Sequence, residues 1–157
     1  METERKVDTM RLTLYTDYSL RVLIFLGAKP EGERSTVQEI SAAFRISKNH
    51  LTKVVHELGK AGYIETVRGR GGGIQLKLPP DQINIGMVVR KTEDDFQLVE
   101  CFNRESNGCV LTPACRLKGA LQEALDAYLA VLDQYTIADF IQNRDEIGLL
   151  LFPRPLS

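Results

Sequence analysis

Ser47-Lys48-Asn49-His50-Leu51-Thr52-Lys53-Val54-Val55-His56-Glu57-Leu58 decides the fold. Its apolar residues Leu51, Val54, Val55 and Leu58 recur at helical spacing, and Ser47 is a helix cap. Lys48, Asn49, Thr52 and Lys53 fall on the opposite face, near the beginning of the helix. Immediately upstream, Ser35-Thr36 starts a second helix that carries Val37, Ile40, Ala43 and Phe44 inward, and Arg45-Ile46 turns one helix into the next. This is helix-turn-helix order. The second helix of such a pair enters the major groove and offers small polar and cationic side chains from its first turns. Lys48 and Lys53 suit phosphates, Asn49 can pair with an adenine edge, and Ser47 and Thr52 are small polar candidates for DNA contact beside them. A solvated helix face has the same composition, so the succession of elements carries the reading rather than any one residue. His50 and His56 read as ordinary helix residues.

Downstream, two short strands over Tyr63 to Arg68 and Ile74 to Leu78 flank Gly69-Arg70-Gly71-Gly72-Gly73. The glycines are not a phosphate loop, because no Lys-Ser/Thr follows them and no helix opens there. Behind a helix-turn-helix this hairpin is a wing whose Arg68 and Arg70 can enter a minor groove. Upstream, a helix beginning near Met10 to Thr16 carries Leu20, Val22, Leu23, Ile24, Phe25 and Leu26, too many apolar positions for one narrow stripe. Thr16 is its expected cap and Asp17 lies in its first turn, where the helix dipole favours a carboxylate. Gly27 to Gly32, with Pro30, ends it.

The 157 residues, 43% hydrophobic and 26% charged, suit one globular chain able to bury a core. The formal net charge of -1 averages over an asymmetry. Arg45 to Lys77 holds seven Lys/Arg against two Asp/Glu, whereas Pro80 to Ser157 holds twelve acids against seven bases. A basic middle followed by an acidic half suggests a nucleic-acid reader followed by a different module. No apolar run is long enough to cross a membrane and Met1 to Thr9 is polar, so a cytoplasmic setting without stable disulfides is expected.

Past Pro79-Pro80, Asn84 caps a short helix with Ile85, Met87, Val88 and Val89. All three cysteines then fall in one loop, Cys101, Cys109 and Cys115. Thiolates suit iron-sulfur clusters, zinc or copper(I), and three in one loop supply all but one ligand of a tetrahedral or cubane site. A buried cysteine set, a disulfide with one spare thiol, and a metal-free thiol switch have the same spacing. Thr112-Pro113-Ala114-Cys115 reads as a helix start, with Cys115 in the first turn. The long helix beyond it repeats Leu117, Leu121, Leu125, Leu129 and Leu132, with Tyr128, down to a Thr136 cap for a final helix with Ile137, Phe140 and Ile141. Such a stripe either closes the monomer core or, more often in a winged helix of this size, pairs with its copy, and the resulting homodimer matches a palindromic double-stranded operator. An enzyme is not expected: no histidine lies near the cysteines, and no paired carboxylates or phosphate loop accompany them.

Met10 to Ser19, Ile46 to Leu51, Val67 to Gly73 and the cysteine loop ending in Thr112-Pro-Ala-Cys-Arg-Leu117 closely resemble nitric-oxide-sensing repressors. These belong to a family of dimeric winged-helix regulators that also includes IscR, which reports cluster status, and RirA, which reports iron. The resemblance covers Met10 to Leu151. It implies a 4Fe-4S cluster held by Cys101, Cys109 and Cys115, with a carboxylate from the first helix of the other subunit, here Asp17, as fourth ligand, and nitric oxide as the signal. In IscR-like members a histidine three residues after the last cysteine completes the site; this chain has Lys118 there. An iron- or cluster-responsive repressor and a zinc-stabilised interaction domain remain alternatives. The expected fold is mostly α with a small β-hairpin wing: an extension over 1–9, a winged helix-turn-helix domain over 10–79, and a cluster-binding loop with dimerisation helices over 80–157.

Overall fold

The computed structural model describes residues 11–153, so the expected extension over 1–9, and Met10, lie outside the described residues. Helix α1 spans Leu14–Ala28. Its cap is Thr13, not the expected Thr16: the Thr13 hydroxyl accepts from the Thr16 amide at 3.3 Å. Thr16 is instead fully buried inside the helix, where its hydroxyl donates to Thr92 Oγ1 at 2.8 Å. A polar group hidden from water needs such a partner. The helix buries Val22, Leu23, Phe25 and Leu26, and ends before an extended Lys29 that Pro30 follows, because the residue before a proline disfavours helical backbone.

Helix α2, Val37–Phe44, opens on a capping box in which Thr36 and Glu39 satisfy each other's amides. It closes on Arg45 in the left-handed region, φ 55°. Ser47 then caps helix α3, Lys48–Lys60, through the His50 amide. Leu51, Val54, Val55 and Leu58 are buried in one core with Ile40 of α2 and Leu23 of α1. Each such side chain contributes roughly 1.5–3 kcal/mol through removal from water.

Strands β1, Ile64–Val67, and β2, Gly73–Leu76, pair antiparallel with Ile64 opposite Leu76 and Val67 opposite Gly73. Each strand is shorter than expected, and Arg68 falls outside β1. Ser35 pairs along the outer edge of β2 near the tip, exchanging backbone bonds of 2.9 and 2.7 Å with Ile74. The wing is therefore fastened to the start of α2.

After Pro80 the chain returns to the same core. Helix α4, Ile85–Thr92, is capped by Asn84 and buries Ile85, Val88 and Val89, which cluster with residues of α1. From Glu93 to Ala124 no residue is fully buried. Within that span, Thr112–Ala114 forms a separate 3-10 turn, and Cys115 is extended at φ -81°, ψ 118°. Cys115 is thus not in a first helical turn. The Thr112 hydroxyl is engaged within the loop, donating to Cys109 O and accepting from Asn107 Nδ2, both at 2.9 Å. It has no helix to cap, and α5, Leu117–Leu132, begins without a side-chain cap.

Of the leucine stripe on α5 only Leu125 is buried, and Leu117 is 63% exposed. Thr136 does form a capping box with Asp139, but on a single 3-10 turn, Ile137–Phe140, rather than a final helix. A further helix, α6, Arg144–Leu151, follows. The architecture is mostly helical with one two-stranded antiparallel sheet, and none of its described helices is long and apolar enough to cross a membrane.

Candidate nucleic-acid interface and metal loop

Because α3 buries its apolar face against α1 and α2, the opposite face is exposed from its first residue. Ser47, Lys48, Asn49, Thr52 and Lys53 all lie there in solvent. Their hydrogen-bonding capacities differ. The Ser47 hydroxyl accepts from the His50 amide and keeps its proton to donate, whereas the Thr52 hydroxyl donates to Lys48 O at 2.8 Å and keeps only acceptor capacity. Among the described residues, Lys48, Asn49 and Lys53 have neither a side-chain hydrogen bond nor an ion pair, so their donors face water.

The wing tip requires its glycines. Gly69 and Gly71 have φ of +97° and +68°, and a Cβ on Gly72 would collide with Val67 O and lie 2.7 Å from Gly69 O. The chain can fold back this tightly only without side chains. Arg68 and Arg70 stand exposed on either side of Gly69. Sequence reading missed the residue that holds this tip: Arg34 donates from Nη1 to Gly71 O at 2.8 Å and from Nε to Gln75 Oε1 at 3.1 Å. Its position just before α2 gave no hint, because the pairing is long-range. The wing tip is thereby braced to the segment that leads into α2.

The cysteine loop is built differently. Cys101, Cys109 and Cys115 are free thiols, each partly exposed, so they do not form a fully buried set. Local bonds shape the loop: Asn107 Oδ1 accepts from the Cys109 amide at 3.0 Å, and the Thr112 hydroxyl ties back to Cys109. Val110 and Leu111 are 90% and 65% exposed. A segment that buries so little has no core of its own to hold it, and three free soft donors fit a thiolate-bound cluster or zinc. Among the described residues no three Cys, His, Asp or Glu side chains form a metal-holding group within one chain.

Asp17 faces outward from the first turn of α1, half-exposed. It accepts both bonds of a bidentate pair from Arg21, 2.9 Å from Nε and 2.8 Å from Nη2. Arg21 also was missed, although its i,i+4 spacing from Asp17 was visible. One chain does not bring Asp17 together with its own cysteines in a ligand set.

A helix-turn-helix with a braced basic wing defines a winged-helix DNA-binding regulator. The chain belongs to the Rrf2 family, described as "Iron-dependent Transcriptional regulator", whose sequence profile matches residues 12–143. It is similar to the HTH-type transcriptional regulators NsrR of Bacillus subtilis (strain 168), 60% identical over 90% of this chain and 97% of that protein, and of Shouchella clausii (strain KSM-K16), 59% identical over 90% and 95%. Among solved structures it resembles oxidized Staphylococcus aureus CymR, with TM-score 0.67 and 26% identity over 85% of this chain and 97% of that one. It shares the fold of T. potens IscR, with TM-score 0.69 and 21% identity over 88% and 90%. These relatives are regulators, which bears out the reading that the chain is not an enzyme.

Proposed function

We propose that this protein is a homodimeric transcriptional repressor that senses nitric oxide through a 4Fe-4S cluster. The carrying observation is the loop of three free, partly exposed thiols that lacks a buried residue of its own. Cys101, Cys109 and Cys115 would supply three ligands, and Asp17 of the other subunit the fourth. When bound, such a cluster offers iron that nitric oxide attacks. The similarity to proteins named NsrR supports this signal over iron status, and Lys118 in place of a histidine argues against an IscR-like site.

The chain's own residues then do the rest. Lys48, Lys53, Arg68 and Arg70 neutralise phosphates, Asn49 reads a base edge, and Ser47 and Thr52 complete the contact from the first turns of α3. The exposed apolar edge of α5, with Leu117 at 63%, Tyr128 at 42% and Val131 at 51% exposure, pairs with its copy. That pairing sets two reading helices about one DNA turn apart on a palindromic operator. Asp17, on a helix that packs against α3, ties one subunit's reading head to the other subunit's loop. Loss of that tie removes contacts specific to the DNA-fitting arrangement, and the population shifts away from it.

The test is an anaerobic titration of nitric oxide into cluster-loaded protein bound to a duplex selected by that protein from a random pool. Release in step with the loss of cluster absorbance is expected, and the Cys109→Ser protein, short of one ligand, should bind the same duplex weakly before any nitric oxide is added. DNA retention through complete cluster loss would remove the sensor reading and leave a DNA-binding regulator of another signal.

A further inference from the structure

We infer that Glu93 is a positioning residue that latches the helix bearing Asp17 to the root of the cysteine loop in the same subunit. The inference rests on the sensor reading above and names the route by which the state of the loop reaches the reading head. Glu93 ends α4: its amide donates to Val89 O at 2.9 Å, and its backbone is extended at φ -83°, ψ 137°. It is thus the residue from which the coreless segment departs. Its carboxylate lies at a solvent-exposed position but is engaged. Glu93 Oε1 accepts from the Thr13 amide at 2.8 Å and from the Thr13 hydroxyl at 3.0 Å, across 80 positions of sequence.

Thr13 is the cap of α1, and its carbonyl accepts the Asp17 amide at 3.0 Å. Two consecutive links, Glu93 to Thr13 and Thr13 to Asp17, therefore join the loop root to the proposed ligand. Beside them the buried Thr16–Thr92 bond, 2.8 Å, with Thr92 also donating to Val88 O at 2.9 Å, holds the two helices in one register along the same seam. Placing a carboxylate at a helix N-terminus is favourable in itself. Here it comes from another element, so displacement of the loop root removes the anchor of the first turn of α1. If Asp17 reaches across to the other subunit, Glu93 makes each subunit's ligand depend on its own loop as well.

The experiment compares wild type with Glu93→Ala and Glu93→Gln, in which the amide oxygen still accepts both Thr13 bonds. Operator affinity is measured on the duplex selected by wild type, with cluster loaded and after its removal, and amide exchange is followed at Thr16 and Asp17 in the cluster-loaded protein. Wild type should lose about 5–150-fold in affinity on cluster removal, the usual span of coupling between sites. Glu93→Ala should lose first-turn protection and reduce the loaded-to-free ratio to below about 3-fold, while Glu93→Gln behaves as wild type. Unchanged protection in Glu93→Ala, or an unchanged ratio with protection lost, would overturn the latch and leave the sensor reading intact. Equal affinities of loaded and free wild type would overturn the sensor reading, and the latch with it.

Discussion

Asp17 illustrates how a residue's surroundings limit what its sequence position suggests. Within one chain its carboxylate is held by two guanidinium bonds from Arg21, on an exposed part of α1, so α1 itself does not depend on a metal there. Replacing Asp17 by Ala should leave the fold intact and uncouple nitric oxide from DNA release more than it impairs cluster binding, as measured by anisotropy and iron content. Unaltered coupling would refute the cross-subunit tie. Arg68→Ala should weaken operator binding and flatten its salt dependence. An equal loss on random DNA would restrict Arg68 to phosphate contact. Asp133 offers a check by pH: the hydrogen bond from Arg90 holds its carboxyl below the ordinary carboxylate range. A lowered folded-state value means that the stabilisation is present above the ordinary range and is lost as pH falls through the lowered value. Both groups are solvent-exposed, so the effect on thermal stability should be small, and absent in Asp133→Asn.

At the scale of elements, the wing and the reading helix were legible because their rules are local. Ser47 caps α3, Leu51, Val54, Val55 and Leu58 face inward, and the glycines turn the hairpin, all within a few residues of one another. What failed to show was long-range or competitive. Thr16 has the chemistry of a cap, but tertiary burial against Thr92 took it inside and left the role to Thr13. Thr112-Pro113 has the composition of a helix start, yet the Thr112 hydroxyl is used within the loop, and α5 begins later. The three cysteines were visible as a group, whereas Arg34 and Glu93 gain their distant partners in the wing and at Thr13 only through folding. Gly72→Ala tests the wing as an element. Its Cβ would meet backbone oxygens of Val67 and Gly69, which no side-chain rotation relieves. DNA affinity should fall by about tenfold or more, one mis-set minor-groove contact, with the melting temperature of the core nearly unchanged. A proportional loss of stability would mean that the tip is part of the core.

For the whole molecule, the described chain has one apolar core around α1, while α5 turns Leu117, Tyr128 and Val131 to solvent. Twofold DNA reading requires that edge to be buried against its copy. Val131→Glu should shift the protein toward monomer in sedimentation and weaken binding to a palindromic duplex far more than to a single half-site. Equal weakening on both would separate the edge from dimer formation. The thiol loop is proposed to carry a nitric-oxide-reactive cluster on which DNA binding depends. The most direct test is the visible absorption of anaerobically purified protein, with iron and sulfide assays, before and after nitric oxide. A brown protein with about four irons per subunit, whose spectrum collapses as DNA is released, is the predicted result. A colourless protein that holds one tightly bound zinc per subunit and keeps its DNA would contradict it.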